Sequence, residues 1–415
     1  MLKKISTHQL RLGMHLHRLE GNWLDHPFWK TRFTLEDPDD LKRLQACGLR
    51  ECWIDPALGL DIVEPAAPPA QPHAPAAAAV ARPVVDATPA APPPVAGSFH
   101  EELHRAAAIC KRGRTAVMAM FGEARLGRAI DAERCLPLVD EISGSVFRNP
   151  GALVSLARLK TRDDYTFMHS VAVCALMVAV ARQLGQDDDA CREAGMAGLL
   201  HDMGKAMMPP DVLNKPGRLT EAEFEVMRTH PQRGHALLAE GRGASAAALD
   251  VCLHHHEKFD GTGYPFGHVG TAISQVARMG TICDVYDAVT SNRVYKAGWD
   301  PAESIARMAS WKGHFDPELF QAFVRSLGIY PTGSLVRLES GRLAVVVSQN
   351  AQSLVSPVVR AFFSTRSQMP IVPQRIDLAA PNTADRIVGR ESAAQWGFTR
   401  IDEVWADADL LRRTR

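Results

Sequence analysis

Residues 199–205 read Leu-Leu-His-Asp-Met-Gly-Lys and place three groups capable of chemistry at one point of the chain. His201 offers an imidazole and Asp202 a carboxylate, and both are good ligands for borderline or hard divalent metal ions. Lys205 offers a compact positive charge that suits a phosphate. The pair follows an apolar helical run, and a His-Asp pair by itself often only ends a helix. The rest of the chain has to decide between these two interpretations.

Further histidines and aspartates recur where helices are predicted to begin or end. His169 opens an apolar helix, His230 stands directly before a proline, and residues 254–257 read His-His-His-Glu at the end of another helix. Asp284 lies within an apolar helical stretch, where a carboxylate is costly unless it is paired or bound to a metal. Each has its own simple explanation, such as a hydrogen-bonded core histidine or an ion pair with an arginine. Together they favour one shared metal centre.

The length and the amino-acid composition of the chain narrow the class of protein. Its 415 residues allow two or three domains, and Lys+Arg and Asp+Glu both count 47. No excess positive charge therefore favours duplex nucleic acid or an anionic membrane surface. Eight scattered cysteines without a Cys-x-x-Cys pair favour reduced thiols. There is no recognisable signal peptide, and the longest apolar run, residues 171–181, is too short to cross a bilayer. These features predict a soluble cytoplasmic protein.

The first 97 residues form two parts of different composition. Residues 1–64 predict a small mixed α/β or β-rich accessory domain, with a short helix within 35–49 and a strand at 51–54. Residues 65–97 are rich in Pro and Ala, with too little bulky apolar surface to offset the entropy cost of ordering. They predict a semi-extended linker.

Residues 98–329 are helical almost throughout and lack strand alternation, which predicts an all-α core. The predicted helices cover residues 101–121, 136–149, 151–161, 165–184, 188–200, 221–230, 231–240, 246–256, 274–289 and 301–311. Residues 330–415 return to strand patterns, with a hairpin at 335–347 and a strand at 357–363. The predicted fold class is a multidomain protein, with the all-α core between the small N-terminal domain and a small β-rich C-terminal appendage.

Two signatures of the core resemble those of the HD-GYP family, a phosphodiesterase branch of the HD superfamily. The first is His-Asp-Met-Gly-Lys at 201–205, and the second is His-His-Glu-Lys-Phe-Asp-Gly-Thr-Gly-Tyr-Pro at 255–265. Matches around them lie at 169–170, 215–220, 230–231 and 284–293, so the resemblance covers about residues 150–325. Residues 12–14 and 23–28 resemble the small uncharacterised domain that precedes HD-GYP domains in many proteobacterial proteins.

The resemblance implies a function and a ligand set. The family hydrolyses the bacterial second messenger cyclic di-GMP to the linear dinucleotide pGpG and, on a second cut, GMP. The implied metal ligands are His169, His201, Asp202, His230, His255, His256 and Asp284. Asp202 would bridge two metal ions, whereas His254 falls outside the signature register. Neighbouring helical residues point about 100° apart, so His255 and His256 reach one site only if their helix ends there.

The ligand types also bear on the number and identity of the metals. Mixed imidazole and carboxylate ligands favour iron or manganese, with zinc, cobalt or nickel as alternatives in vitro. Some family members hold a third metal through a glutamate four residues before the first histidine ligand. That position is Tyr165 here, and a phenol is a poor ligand at neutral pH. We therefore predict two divalent metal ions.

The remaining candidate residues concern the substrate. Lys205 is expected to neutralise charge on the scissile phosphate, and with Asp202 it forms the catalytic pair. Arg293 and Lys296 match family positions that contact substrate phosphate or guanine, although both also fit as charges at a helix end. Gly263 and Tyr264 belong to a loop beside the cavity, in which Gly261 and Gly263 allow a positive φ.

Three functions are open at this stage. The first is a metal-dependent cyclic di-GMP phosphodiesterase. The second is a signalling adaptor that binds diguanylate cyclases or other signalling proteins with little turnover. The third is a related hydrolase acting on a mixed cyclic dinucleotide or a nucleotide monophosphate, and the complete second signature favours a cyclic dinucleotide. We expect no duplex nucleic acid and no membrane as partner, and family membership is compatible with a homodimer.

Overall fold

The computed structural model describes residues 2–19, 33–35, 37–46, 51–61, 99–159, 165–291, 298–350 and 352–406. The chain divides into two compact units, residues 1–94 and 95–415. The predicted linker at 65–97, residues 23–28, and the candidate substrate contacts Arg293 and Lys296 lie outside the described residues. The predicted domain boundaries stay predictions.

The N-terminal unit is a small antiparallel sheet with one helix. Its elements are β1 (Lys3–Ser6), β2 (His15–Leu19), β3 (Phe33–Thr34), α1 (Pro38–Ala46) and β4 (Glu51–Ile54). The strand order is β1-β4-β2-β3. Cys52 and Ile54 alternate inward along β4 and join a buried cluster that includes Met14, Leu16 and Leu44. The helix predicted within 35–49 and the strand predicted at 51–54 are both present.

The second unit begins with a helical core, as the sequence predicts. Its helices are α2 (Phe99–Arg125), α3 (Leu136–Arg148), α4 (Pro150–Arg158), α5 (Tyr165–Gln183), α6 (Asp188–Leu200), α7 (Pro210–Leu213), α8 (Glu221–Met227), α9 (His230–Ala239), α10 (Ala246–His254), α11 (Gln275–Thr290), α12 (Pro301–Ser310) and α13 (Pro317–Leu327). Side chains cap several of them, because Asp187, Ser245 and Ser274 accept hydrogen bonds from the first turns of α6, α10 and α11.

Helix α5 is the centre of this core. It packs against α2, α4, α6, α11 and α13. Residues 166–183 are long and apolar enough to cross a bilayer, but 78% of this stretch is buried inside the protein. Its apolar surface is therefore already used in packing against other helices. A Cβ at Gly198 of α6 would come within 2.9 Å of the carbonyl oxygen of Val173, so α5 and α6 approach closely at the level where both carry candidate ligands.

Two predicted helix boundaries were wrong around His230. The sequence suggested one helix to His230 and a second beginning at Pro231, whereas α8 ends at Met227 and α9 begins at His230. Proline is tolerated within the first turn of a helix because the N–H it lacks has no partner there. The helix can therefore start one residue before Pro231. The sequence analysis also did not identify α13, which Asp316 caps.

The C-terminal part is an antiparallel sheet attached to the helical core. Its strands are β5 (Leu335–Leu338), β6 (Arg342–Asn350), β7 (Ser353–Ser364), β8 (Met369–Asp377) and β9 (Ile387–Arg390), followed by α14 (Asp402–Trp405). The strand order is β8-β7-β6-β5-β9, which contains the predicted hairpin as β5 and β6. The sheet is tied to α12 because Asp300 accepts from the N–H of Leu335 and Arg390 donates to the carbonyl oxygen of Ala302.

Candidate metal centre

The structure brings the seven predicted ligands together from five segments of the helical core. His169 lies on α5, His201 and Asp202 directly follow α6, His230 begins α9, His255 and His256 directly follow α10, and Asp284 lies within α11. Helix α10 ends at His254, which meets the condition that His255 and His256 reach one site only where their helix ends. Six of the seven form two groups, His169, His201 and Asp202 in one and His230, His255 and His256 in the other.

The glycine of the first signature positions the two groups next to each other. A Cβ at Gly204 would overlap the carbonyl oxygen of His230 and the backbone N of Gly234. Glycine therefore allows the short 3₁₀ helix Met203–Met207 to lie against the first turn of α9. This close approach places His230 beside Asp202, with His230 Nε2 at 3.4 Å from Asp202 Oδ1.

The first group surrounds Asp202 Oδ2. Nε2 of His169 and Nε2 of His201 lie 3.2 Å apart, and each lies 3.4 Å from this oxygen. Asp284 Oδ1 is 3.0 Å from His169 Nε2 and 3.9 Å from His201 Nε2. Two imidazoles and two carboxylate oxygens thus converge within the span of one metal site.

The second group surrounds the other oxygen of the same carboxylate. Asp202 Oδ1 lies 3.4 Å from His230 Nε2 and 3.7 Å from His255 Nε2, and these two nitrogens are 3.2 Å apart. Asp284 Oδ2 lies 3.7 Å from Nδ1 of His256. Asp202 and Asp284 therefore each direct one oxygen toward each group, which is the arrangement of a carboxylate shared by two cation sites.

Backbone hydrogen bonds set the tautomers of three of these histidines. Nδ1 of His201 donates to the carbonyl of Gly198, Nδ1 of His230 to that of Met227, and Nδ1 of His255 to that of Val251. A carbonyl oxygen can only accept, so Nδ1 carries the proton and Nε2 presents a lone pair. The Nε2 atoms of His230 and His255 then face each other with their lone pairs. A cation bound between these two nitrogens would remove the repulsion between the lone pairs.

The carboxylates give a second indication that the residues fit a metal. Asp202 is buried, and its Oδ1 has no hydrogen-bond donor among the described residues. Burial alone would raise the pKa of Asp202, but the charge of Lys205 holds it well below its usual range. The pKa of Asp284 is also held well below its usual range, because the hydrogen bond from His169 outweighs its burial. Two buried anionic carboxylates are costly without cations.

The histidines differ in their titration. Burial lowers the pKa of His230 to about 4, and burial together with His255 holds the pKa of His256 well below its usual value. Both are therefore neutral at pH 7, as metal ligands must be. Burial also opposes a charge on His169, but its hydrogen bonds with Asp284 and Asp287 outweigh burial and raise its pKa. The Nε2 proton that Asp284 favours would have to leave for His169 to bind a metal ion.

Two residues that position other groups, Asp287 and Glu257, were not among the sequence candidates. Asp287 accepts from Nδ1 of His169 over 2.6 Å. It lies three residues after Asp284, a spacing that puts both carboxylates on one helix face and could have indicated this role. Glu257 of the second signature accepts from the backbone N–H groups of residues 266–268 and so holds the loop after α10.

The other sequence candidates lie at the edge of the centre. Lys205 Nζ donates to Asp202 Oδ2 over 2.5 Å. Tyr264 stacks on His256, with ring centroids 4.7 Å apart. Gly261 has a φ of +81°, as expected, but Gly263 does not have a positive φ. A side chain at Gly263 would instead overlap the backbone of residues 257 and 258, so its role is close packing.

His254 lies apart from both groups, in agreement with its position outside the signature register. Its Nδ1 is 2.7 Å from Asp250 Oδ1, and its ring lies near Phe266 and His268. Two arginines were considered as partners of Asp284: Arg278 donates to Asp316 instead, and Arg293 lies outside the described residues. The backbone of Tyr165 begins α5, but its side chain lies outside the description.

Comparison with known proteins gives two family matches. Residues 2–135 match a domain of unknown function (DUF3391), and residues 148–319 match the HD domain. A cyclic di-GMP phosphodiesterase of Pseudomonas aeruginosa is 55% identical over 98% of this chain and 96% of its own length. The cyclic di-GMP phosphodiesterase response regulator RpfG of Xanthomonas campestris is 39% identical over 48% of this chain and 53% of its own length.

More distant similarities extend to other proteins. A 3'3'-cGAMP-specific phosphodiesterase of Vibrio cholerae is 33% identical over 40% of this chain and 38% of its own length. Among solved structures, the HDG"Y"P protein Bd1817 of Bdellovibrio bacteriovorus covers 78% of this chain and 98% of its own, with 16% identity and a TM-score of 0.44.

Proposed function

The chain belongs to the HD-GYP family of cyclic di-GMP phosphodiesterases, and from this we infer that it hydrolyses cyclic di-GMP at the centre around Asp202. Hydrolysis adds one water across one phosphodiester bond and gives linear pGpG, and a second cut would give GMP. The observation that supports this proposal most directly is the shared carboxylate. Asp202 turns Oδ2 to His169 and His201 and Oδ1 to His230 and His255.

We propose that His169, His201, Asp202, His230, His255, His256 and Asp284 hold two divalent metal ions. Bound metals of this kind lower the pKa of a water molecule and neutralise charge on the scissile phosphate. The residues of the chain make the site ready for them, because the backbone hydrogen bonds fix three imidazoles with Nε2 inward. Two buried carboxylates supply the negative charge that two dications require.

Lys205 is the proposed phosphate contact. Its side chain is 22% exposed, whereas Asp202 beside it is 1% exposed, so the ammonium group lies between the buried centre and solvent. A substrate phosphate that approaches from solvent meets this charge first. The ammonium group can then stabilise the negative charge that develops on the phosphate oxygens during in-line attack.

The number and identity of the metals are part of the same proposal. The mixture of imidazole and carboxylate ligands suits iron or manganese, with zinc, cobalt or nickel as substitutes. Tyr165 stands where a third-metal glutamate would stand, which supports two metals. Cys52, Cys135, Cys174, Cys191, Cys252 and Cys283 are buried free thiols, which supports a reducing compartment, the cytoplasm, as the location of the protein.

The test combines anaerobic metal analysis of the pure chain with a product assay on cyclic di-GMP. We expect two metals per chain and release of pGpG by the wild type, and no turnover by Asp202→Ala. His254→Ala is the matched control, because this histidine adjoins two proposed ligands but pairs with Asp250. It should keep its metals and its turnover.

Each proposal has an outcome that contradicts it. A metal-loaded wild type as inert as Asp202→Ala would contradict the hydrolase and favour the adaptor that binds diguanylate cyclases. Faster turnover of a mixed cyclic dinucleotide than of cyclic di-GMP would contradict the substrate assignment. Three metals per chain at full occupancy would contradict the two-metal centre.

A further inference from the structure

Among the described residues of the metal centre, Lys205 and His256 are the two side chains that form its opening to solvent. Lys205 and His256 are 22% and 23% exposed, whereas the side chains of the other proposed ligands are at most 9% exposed. Tyr264 stands at this opening because its ring stacks on His256 with an interplanar angle of 28°. A substrate that enters over the exposed His256 therefore passes beside Tyr264.

Phe224 of α8 and Arg228, the residue that caps the C-terminal end of this helix, lie beside Tyr264. The ring of Phe224 meets Tyr264 edge to face at 6.4 Å, and the guanidinium of Arg228 lies 5.0 Å from the centre of the Tyr264 ring. Phe224 is 45% exposed, although it belongs to an aromatic and cationic group next to the reaction site. Its packing within the protein thus leaves much of the ring available to a ligand.

Helix α8, which carries Phe224 and is followed directly by Arg228, is held in place. Thr220 and Glu223 form a reciprocal capping box at its start. Lys215 donates to both carboxylate oxygens of Glu223, at 2.7 and 2.6 Å, and so ties the helix to the preceding loop. A ring presented by a fixed helix loses little conformational entropy when a ligand stacks on it.

We propose that Phe224 and Arg228 form a guanine subsite beside the metal centre. The proposal rests on the cyclic dinucleotide substrate inferred above and assigns the residues that receive one of its bases. The exposed face of Phe224 stacks on the base, as aromatic side chains do with unpaired bases. The planar fork of Arg228 donates to guanine O6 and N7, a pair of acceptors that adenine lacks.

The test uses steady-state kinetics of the metal-loaded full chain on cyclic di-GMP, with cyclic di-AMP as competitor. Phe224→Ala should raise KM about tenfold and change kcat by less than about twofold, because stacking contributes to binding and not to the chemical step. Phe224→Trp should restore KM. Arg228→Met should bring the inhibition constant of cyclic di-AMP closer to the KM of cyclic di-GMP, since the discrimination against adenine is lost.

Phe266→Ala is the matched control. Phe266 is 53% exposed and lies in the same loop as Tyr264, but its ring faces His254 and His268. It should leave KM unchanged. An equal rise of KM in Phe224→Ala and Phe266→Ala, or a KM in Phe224→Ala equal to that of the wild type, would overturn the subsite.

The guanine subsite and the hydrolase activity are two proposals that can be contradicted separately. If the metal-loaded wild type shows no turnover, the dissociation constants of cyclic di-GMP and cyclic di-AMP, measured by calorimetry, replace KM and the inhibition constant for the same variants. Weaker binding of cyclic di-GMP by Phe224→Ala would then support the subsite although the hydrolase is contradicted. A wild type that neither binds nor cleaves cyclic di-GMP would overturn both.

Discussion

Asp287 on α11 accepts a hydrogen bond from Nδ1 of His169 on α5 over 2.6 Å, across 118 residues of sequence. Both side chains are buried, and the hydroxyl of Ser291 donates to the other oxygen of Asp287 over 3.2 Å. A carboxylate behind a metal-ligating imidazole fixes the ring and raises its basicity. Asp287 is therefore a positioning residue for the proposed ligand His169.

Removing this carboxylate should weaken metal binding without removing a ligand. We expect Asp287→Ala to bind metal about 10- to 100-fold more weakly than the wild type, and Asp287→Asn to show a smaller loss because its amide oxygen still accepts. Competition with a chromophoric chelator measures the affinity independently of any turnover.

Asp250→Ala is the control for this effect. Asp250 accepts from Nδ1 of His254 over 2.7 Å, the same kind of pair, but His254 lies outside the proposed ligand set. Its loss should leave the metal affinity unchanged. Equal weakening in both variants would show that general loosening of the core, and not the orientation of His169, explains the result.

Gly204 tests the close approach between the first signature and α9. A methyl group at this position would overlap the carbonyl oxygen of His230 and the backbone N of Gly234. Neither backbone atom can rotate away. Overpacking of this kind costs about 1–3 kcal/mol. We expect Gly204→Ala to lower the free energy of unfolding of the metal-free chain by this amount, measured by urea denaturation.

At a second glycine, substitution by alanine is expected to raise the free energy of unfolding. A Cβ at Gly122, in the last turn of α2, would meet no atom within 4 Å. Gly122→Ala should therefore stabilise the chain by about 0.5–1 kcal/mol through helix propensity. A Gly204→Ala chain as stable as Gly122→Ala would contradict the close approach.

The sequence predicts local features of this protein well. Helix α6 lies at Asp188–Leu200, as predicted, because its N-cap aspartate and its apolar run are both local signals. The seven ligand candidates could be named from the resemblance, and six of them stand in a signature or at an expected helix end, whereas Asp284 stands within an apolar helical stretch. Their convergence could be inferred only from the resemblance, since no local pattern states which helix ends meet.

Contacts between distant segments could not be predicted in this way. Asp287 was visible three residues after Asp284, but its partner His169 lies on another helix. Phe224 lies within the helix predicted at 221–230, and only its contact with Tyr264 relates it to the metal centre. Gly263 shows the same limit, because the backbone that surrounds it and not its own φ requires a glycine.

The buried ion pair between α2 and α3 gives a prediction for acid pH. Glu102 is fully buried and accepts from Ser145 Oγ at 2.7 Å and from Arg148 Nε at 2.7 Å. Burial alone would raise the pKa of Glu102, but the hydrogen bonds from Arg148 and Ser145 outweigh it and lower the pKa below its usual 4.5. The ionised form thus contributes stability above the unfolded pKa, and this contribution is lost as pH falls through the lower folded pKa.

Glu102→Gln should therefore lower the free energy of unfolding at pH 7 by about 1.5–3 kcal/mol, with a smaller difference from the wild type at pH 3. Urea denaturation at several pH values measures both. Glu141→Gln is the matched control, because Glu141 and Arg112 join the same two helices through side chains that are 42% and 56% exposed. Solvent screens such a pair, so the control should differ from the wild type by about 0–1 kcal/mol. A pH-independent loss in Glu102→Gln would mean that its shape and not its charge stabilises the α2–α3 contact.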